Sequence, residues 1–387
     1  MIATQRPIPT SAAAFPAPPA PLSDAPQPVA PERRRGRGAT SNASGRFEPY
    51  VRTEEDDGWG ALDALEPFRT EVTLEAARTA ITRNQSPDIP FDRSVNPYRG
   101  CEHGCVYCFA RPTHAYLGLS PGLDFESRLT AKPNIADLLR RELSAPGYKP
   151  RTMALGTNTD PYQPIEKTHR LTRRVLEVLA EARHPVGIVT KSALVLRDLD
   201  LLARMAEQGL AKVAISLTTL DPTLARQMEP RAPTPARRLE TIAKLSEAGV
   251  PVTVLTAPII PSLNEHEIDR LLESAKAAGA TEAGYVLLRL PHEIKDLFKD
   301  WLLEHHPAKM RRILSLIRDT RGGKLYDSGW DVRQKGEGVV AWTIGRRFEM
   351  ASARLGLDRR HLRLRTDLFV APQRKGRGEP ADQLSLF

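Results

Sequence analysis

Short apolar runs alternate with amphipathic stretches along the chain from Ser94 onward. The runs are rich in β-branched residues and bounded by polar turns, as buried strands are. They predict strands at Ser94–Pro97, Arg151–Gly156, Val186–Thr190, Val213–Leu217, Pro251–Ala257 and Ala283–Leu290. The stretches between them have helical periodicity, over residues 134–144, 167–182, 196–208, 234–248 and 264–278. Because strands that alternate with helices build parallel βαβ units, residues 94–291 predict an α/β fold, a partial (β/α)6 TIM-type barrel.

The segments that flank this region have other patterns. Residues 1–45 are rich in Pro, Ala and Ser and predict a disordered tail. Residues 46–93 form an N-terminal extension, in which residues 74–82 predict a short helix. Residues 292–370 predict an α-helical C-terminal extension, and residues 371–387 a flexible tail. The helices of this extension are expected near residues 294–304, 307–319 and 340–355.

Composition narrows the class of protein. A chain of 387 residues can bury a substantial core. Its cysteines number only three, which is too few for a disulfide framework and leaves at least one unpaired. No targeting segment or membrane span is recognisable, so the expected location is the cytoplasm. The formal charge of +9 modestly favours polyanionic partners.

All three cysteines fall in one short segment directly after the first predicted strand, with C-x3-C-x2-C spacing at Cys101, Cys105 and Cys108. Gly100 and Gly104 allow the tight loop through which three thiolates can converge on one centre. Three ligands suit a [4Fe-4S] cluster whose fourth iron binds a small molecule. That site would lie at the C-terminal end of a parallel strand, where barrel enzymes place their chemistry.

A structural zinc ion is the alternative. Zinc would require a fourth protein ligand, for which His103 and His114 are the candidates. Zinc spacings are usually paired C-x2-C modules, so the cluster is favoured.

The C-x3-C-x-aromatic-C motif after a first strand resembles the radical S-adenosylmethionine superfamily. The resemblance covers about residues 94–291 and implies a [4Fe-4S] cluster and S-adenosylmethionine as cofactors. It also implies that the cluster, reduced by a donor such as flavodoxin or ferredoxin, cleaves S-adenosylmethionine to a 5′-deoxyadenosyl radical. The protein would then orient the cofactor and restrain the radical.

Further motifs resemble the branch that contains spore photoproduct lyase, a DNA-repair enzyme. They are Asn96-Pro97-Tyr98-Arg99-Gly100-Cys101, the segment GTNTDPYQP over residues 156–164, and Thr190-Lys191-Ser192. This branch implies a DNA-directed, repair-related reaction. It also uses an additional cysteine as hydrogen donor, and this chain has no fourth cysteine. Tyr162 is the candidate replacement, with an ordinary packed tyrosine as the alternative.

The same resemblance implies cofactor contacts. Tyr107 would pack near the adenine, Thr159 and Asp160 would receive the amino group, and Lys191 and Ser216 would meet the carboxylate. A carboxylate and a lysine at strand ends suit the two ends of a zwitterion. Asp160 as a turn former and Lys191 as a surface lysine are the alternatives. The weaker candidates, after the fifth strand and at the sixth, are Ile259, Ile260, Asn264 and Arg289.

The C-terminal region suggests partners. Its basic residues could contact phosphates or could be a solvated surface; they are Arg359, Arg360, Arg363, Arg365, Arg374, Lys375 and Arg377. The last five residues resemble the peptide with which bacterial DNA polymerases and repair proteins bind the sliding clamp. The motif consists of Gln383, Leu384, Ser385, Leu386 and Phe387. Packing of this segment on its own domain is the alternative.

Three hypotheses follow. The first is a radical enzyme that acts on DNA. The second is a radical enzyme that modifies RNA or a protein. The third is a non-enzymatic, metal-stabilised protein that binds nucleic acid.

Overall fold

The computed structural model describes residues 28–48, 66–330, 332–358 and 362–373. In these ranges the strands are β1 Glu71–Leu74, β2 Ile81–Arg83, β3 Arg93–Val95, β4 Tyr98–Arg99, β5 Arg128–Ala131, β6 Met153–Leu155, β7 Val186–Thr190, β8 Ala211–Ser216, β9 Val252–Ile259 and β10 Glu282–Leu287. Seven of them form the main sheet, in the order β10-β9-β8-β7-β6-β3-β2. Its neighbours from β3 to β10 are parallel, and β2 is antiparallel to β3. A smaller sheet has the order β1-β5-β4.

The α-helices of the same ranges are α1 Asp124–Ser127, α2 Ile135–Leu143, α3 Glu166–His169, α4 Leu171–Glu181, α5 Leu199–Glu207, α6 Pro222–Met228, α7 Pro235–Glu247, α8 Ile268–Ala277, α9 Ile294–His305, α10 Met310–Asp319, α11 Val332–Lys335 and α12 Gly338–Leu355. Short 3-10 helices occupy Arg111–Leu117, Ala193–Asp198 and Glu265–Glu267. None of the helices in the described part of the chain combines the length and apolarity needed to cross a membrane.

The predicted α/β fold with six parallel strands in chain order is confirmed. Between consecutive parallel strands the chain returns through helices, as parallel pairing requires. No ladder joins the edge strands β2 and β10 within the described ranges, so the parallel strands form a partial barrel. The structure divides the helix predicted over residues 167–182 into α3 and α4, because Arg170 between them has a positive φ of 50°.

Two apolar clusters hold these elements together. The main core fills the space between the sheet and helices α2, α4, α5, α7 and α8, and α12 adds Ile344 and Phe348 to it. A second cluster contains Cys105 and Tyr107 together with Trp301 of α9 and residues of α10. The helical extension after β10 therefore packs against the cysteine segment.

The helix predicted over residues 74–82 is wrong. Residues 71–74 and 81–83 are strands instead. The backbone N–H of Ala77 donates to Asn134 Oδ1 (2.9 Å), and those of Ala80 and Ile81 donate to the Glu142 carboxylate (2.7 and 2.9 Å). Side chains of the α2 region thus take up donors that a helix would have paired along its own backbone.

Residues 28–48 differ from the predicted disordered tail. Val29 and Ala39 are buried in an apolar cluster with Leu123 and Leu297. Val29 N–H donates to Thr40 O (2.9 Å), so the segment forms a compact turn. We call residues 28–48 the N-terminal strap. Composition missed it because few of its residues are large and apolar, and its contacts are made mostly by the backbone and by arginine side chains.

Candidate functional site

The cysteine segment begins where β4 ends and turns through two glycines with left-handed backbone. Gly100 has φ +73° and Gly104 has φ +69°. A Cβ on Gly100 would lie 2.6 Å from Leu129 Cδ2 and 2.9 Å from Phe125 O, so both conformation and space require glycine here. The predicted tight loop at these two positions is therefore present.

Arg111 fixes the shape of this loop from inside the protein. Its buried guanidinium donates to the carbonyls of Cys105 (2.8 Å) and Gly104 (3.1 Å). It also donates to the carbonyls of Pro121 and Gly122 and forms a 2.5 Å ion pair with Glu126. The buried charge is thus both paired and hydrogen-bonded, which buried ions require.

Glu126 attaches the N-terminal strap to the same loop. Its carboxylate accepts backbone N–H groups from Gly38 and Ala39, each at 2.8 Å. Arg37 donates to the Glu126 carbonyl (2.6 Å). A Cβ on Gly38 would lie only 1.8 Å from Gly104 O, so strap and loop are in direct backbone contact.

The three thiols lie in a mostly apolar setting. Cys101 and Cys105 are buried, and Cys108 is partly buried. Burial raises the pKa of Cys105 to about 12 and raises the pKa of Cys101 and Cys108 as well. Such thiols ionise only when a strong positive charge binds them, as an iron centre does.

The donor set fits a cluster better than a single ion. Across the described residues, no three His, Cys, Asp or Glu side chains converge as they would on one metal ion. The ligands of a cluster bind separate irons and so stand farther apart. His103 Nδ1 faces Asp160 Oδ2 at 3.3 Å, and His114 Nε2 pairs with Arg128 O at 3.0 Å. Neither histidine completes a zinc tetrahedron with the cysteines.

Asp160 lies just beyond the end of β6, next to this loop. Its carboxylate accepts hydrogen bonds from Thr190 Oγ1 (2.7 Å) and from the N–H groups of Tyr162 and Lys191 (both 2.9 Å). Burial alone would raise the pKa of Asp160, but His103 and these donors lower it to about 2. Asp160 is thus a fixed anion that joins β6, β7 and the cysteine loop.

Lys191 and Ser216 meet at the ends of neighbouring strands. Lys191 Nζ donates to Ser216 Oγ (2.9 Å) and lies 5.7 Å from the centre of the Tyr107 ring. It is also 3.9 Å from the Glu229 carboxylate. A partly exposed ammonium therefore stands at the C-terminal edge of the sheet, beside the cysteine loop, as the sequence predicted.

Tyr107 is anchored by a buried polar network that the sequence analysis missed. Its hydroxyl donates to Glu229, which also forms an ion pair with Arg238. Burial would raise the pKa of Glu229, but Arg238 and Lys191 lower it to about 2. Glu229 ends α6 without any recognisable spacing to the cysteines, so nothing in the sequence pointed to it.

The remaining predicted residues have varied settings. Thr159 is buried, and its hydroxyl donates to Tyr98 O (3.3 Å). Ile260 is buried in the cluster that contains Cys105 and Tyr107. Arg289 lies over the ring of Phe109, which follows the last cysteine, with 5.0 Å between guanidinium carbon and ring centre.

The backbone N–H of Tyr162 contacts Asp160, but its side chain lies away from the cysteines. The Tyr162 ring is fully buried in the main core, a cluster that contains none of the cysteines. Its hydroxyl donates to Asp198 Oδ2 (3.1 Å), an acceptor already paired with Arg197. This is the setting of a packed tyrosine. The clamp-like residues Gln383, Leu384, Leu386 and Phe387 lie outside the described residues.

Comparison with protein families gives one domain match. Residues 95–275 match the family model described as the radical SAM superfamily. This range begins at the last residue of β3 and includes β6 to β9 of the main sheet, together with all three cysteines.

Individual relatives extend this result. An uncharacterised protein of Mycobacterium tuberculosis is 43% identical over 232 residues, which cover 59% of this chain and 68% of the relative. An uncharacterised protein of Methanocaldococcus jannaschii is 30% identical, over 51% of this chain and 71% of the relative. A solved structure of a spore photoproduct lyase variant has a similar fold, with a TM-score of 0.55 and 16% identity over 74% of this chain and 80% of that one. The cysteine loop, the parallel sheet and these matches together show that the chain belongs to the radical SAM superfamily.

Proposed function

We propose that this radical SAM enzyme acts on DNA in a repair-related reaction. The observation that carries the proposal is the fold shared with spore photoproduct lyase, together with the sequence motifs of that branch around the cysteines and after β6 and β7. The net charge of +9 adds support, because a basic protein is attracted to phosphates.

The enzymes of this superfamily use a [4Fe-4S] cluster and S-adenosylmethionine. In our proposal Cys101, Cys105 and Cys108 bind three irons, and the fourth iron is left for S-adenosylmethionine. When bound, the two cofactors supply a carbon radical from one-electron cleavage of a C–S bond. The electron would come from a carrier such as flavodoxin or ferredoxin.

The residues around the loop would then bind and orient S-adenosylmethionine. Lys191 offers its ammonium to the cofactor carboxylate, with Ser216 holding that ammonium in place. Asp160 and Thr159 would face the amino group. Because Asp160 already accepts several donors, we expect it to position the loop as much as to bind the cofactor.

Tyr107 and Ile260 would form the apolar wall against the adenine, since both belong to one buried cluster. Glu229 would fix the orientation of Tyr107. In this scheme Tyr162 is structural, so the hydrogen donor lies on another residue or on the substrate.

The proposed partner at the C-terminus is the bacterial sliding clamp, which would bring the enzyme to DNA. Gln383, Leu384, Leu386 and Phe387 would make the contact.

Anaerobic turnover tests the proposed function. Reconstituted enzyme, dithionite and S-adenosylmethionine are incubated with DNA that bears defined lesions, and nucleosides are analysed by mass spectrometry. We expect altered nucleosides to appear with 5′-deoxyadenosine or methionine. S-adenosylmethionine cleavage without any change in DNA, but with a change in RNA or protein added in parallel, would replace DNA with that substrate class.

A further inference from the structure

Most of the exposed aromatic side chains in the described ranges are covered on one side by arginine. Four of the five have a guanidinium near the ring: Phe47 with Arg46 (4.9 Å), Phe109 with Arg289 (5.0 Å), Tyr116 with Arg46 (5.4 Å) and Trp330 with Arg333 (4.3 Å). Trp342, on α12, is exposed and has no arginine of the described residues at this distance. We call the four rings and their three arginines the aromatic–arginine belt.

Two rings of the belt are in direct contact. Phe47 and Tyr116 are in ring contact, with centres 4.9 Å apart. Arg46 forms a 2.7 Å ion pair with Glu293, which lies just four residues beyond Arg289 in the chain. One pair of rings is thus joined to the segment that holds Arg289.

Trp330 is the fourth ring of the belt. Arg333, which covers it, makes a two-pronged ion pair with Asp88, in the connection between β2 and β3. The hydrogen bond from Arg333 and the nearby charge of Arg289 lower the pKa of Asp88. The charges of Arg333 and Arg289 thus both act on Asp88.

The belt also borders the cysteine loop. Phe109 directly follows Cys108, and Arg289 follows the C-terminal end of β10. The cysteine loop and Lys191 lie at this same edge of the parallel sheet. A molecule held by Phe109 and Arg289 would reach the cofactor site.

Arg289 itself lacks partners. It makes no hydrogen bond or ion pair with the described residues, and its Nε is buried with no acceptor. Phe109 covers one face of the guanidinium, and the ring remains 47% exposed. An arginine placed this way has its N–H groups available for an incoming anion or base edge, since a buried donor without an acceptor is costly.

We propose that the aromatic–arginine belt binds unpaired DNA, with nucleobases stacking on Phe109 and its neighbouring rings and Arg289 contacting a phosphate or base edge. This rests on the proposed function and names its substrate-binding surface. Aromatic faces and guanidinium groups are the pair of features with which proteins hold single strands. A base that reacts must leave its stack, so an unpaired strand is the form that such a surface would bind.

Sequence alone suggested a cofactor role for Arg289, and affinity measurements separate the two roles. Full-length, iron-loaded protein is titrated under anaerobic conditions into a short fluorescein-labelled single strand of DNA, and anisotropy is recorded. Iron content and S-adenosylmethionine affinity are measured for every variant. The variants are Phe109→Ala, Trp330→Ala and Arg289→Gln, and Trp342→Ala is the matched control.

We expect Phe109→Ala and Trp330→Ala each to weaken binding of the strand by roughly 5- to 150-fold, the cost of one stacked base. Arg289→Gln should weaken it with S-adenosylmethionine affinity unchanged, and Trp342→Ala should bind as the parent protein does. Because Phe109 adjoins a cysteine, Trp330→Ala serves as the test if Phe109→Ala loses iron.

If Phe109→Ala and Trp330→Ala both bind the strand with wild-type affinity, the proposal that the belt binds DNA is wrong. An equal loss of affinity in Trp342→Ala would also contradict it. Tighter binding of RNA of the same sequence would overturn the assignment to DNA. If the belt variants bind normally while the parent enzyme alters lesion-bearing DNA, the belt fails and the proposed function stands. If the belt binds DNA but no nucleoside changes, the proposed function fails instead.

Discussion

Lys191 donates to Ser216 across the ends of two neighbouring parallel strands, at 2.9 Å. The serine holds the ammonium at the C-terminal edge of the sheet, next to Tyr107 and the cysteine loop. This contact leads to the first prediction.

Lys191→Ala is expected to weaken S-adenosylmethionine binding without loss of iron. Removing one charged partner of a desolvated pair costs about 2–4 kcal/mol, or roughly 30- to 1000-fold in affinity. Isothermal titration calorimetry of the reconstituted protein measures the affinity for S-adenosylmethionine. Lys212→Ala is the matched control, because Lys212 on β8 pairs with Glu282 instead (3.5 Å). Equal affinity in both variants would return Lys191 to an ordinary surface role.

Replacement of Cys101, Cys105 or Cys108 by Ala should abolish both the cluster and S-adenosylmethionine cleavage. Each thiol is proposed to ligate a different iron, so two remaining ligands should not hold the cluster. Iron and sulfide assays, visible absorption and 5′-deoxyadenosine analysis report the result. Stoichiometric zinc and no iron in the parent protein after anaerobic reconstitution would contradict the prediction.

Gly38→Ala is expected to separate the N-terminal strap from the cysteine loop. The new methyl group would overlap Gly104 O, and such overpacking costs about 1–3 kcal/mol. We expect a lower melting temperature and faster loss of iron in air. Gly187→Ala is the control, since its nearest neighbour, Thr152 Cγ2, would be in ordinary contact at 3.7 Å. The same iron loss in both variants would mean that strap contact is irrelevant to the cluster.

His184 should make the protein less stable as the solution is acidified. Burial lowers the pKa of His184 to about 4, and its Nε2 accepts a hydrogen bond from the Tyr148 hydroxyl (2.9 Å) in the neutral form. In the unfolded chain His184 therefore binds a proton near pH 6.5, whereas in the folded protein it stays neutral until about pH 4. Stability is full above about pH 6.5 and declines toward pH 4, by roughly 3 kcal/mol in total.

Denaturant unfolding of the parent and of His184→Gln between pH 7 and pH 4 tests this. In the variant the free energy of unfolding should depend less steeply on pH. Parallel pH dependences would show that other groups are responsible.

Deletion of residues 383–387 should remove binding to the sliding clamp but leave cluster assembly and S-adenosylmethionine cleavage intact. A few anchors on a peptide that must be ordered support only about micromolar affinity. Anisotropy of a labelled C-terminal peptide titrated with the clamp of the same organism gives the constant. Failure to bind at tens of micromolar clamp, or loss of iron on deletion, would contradict it.

The sequence predicted the elements whose residues repeat at a fixed period. The order of the parallel strands and the place of Cys101, Lys191 and Ser216 at strand ends follow from alternation and spacing. The strap and residues 74–82 could not be read in this way, because their backbone donors are satisfied by distant side chains such as Glu126 and Glu142.

The buried anchors of the site were equally invisible. Arg111 and Glu229 stabilise the loop and Tyr107 through contacts that depend on how separate segments meet in space. Tyr162 shows the opposite error. Its position in a motif suggested a role as hydrogen donor. In the structure its ring packs in the core and its hydroxyl donates to Asp198.

The strap has a consequence for how the protein is assembled. Glu126 lies 88 residues after Gly38, and at about 5–20 residues per second a ribosome needs roughly 4–18 s to make that stretch. During this interval the strap has nothing to dock on, and the cysteine loop is still incomplete. The strap can dock only after the cysteine segment and Glu126 have both been made. The backbone contact between Gly38 and Gly104 therefore forms late in the assembly of this site.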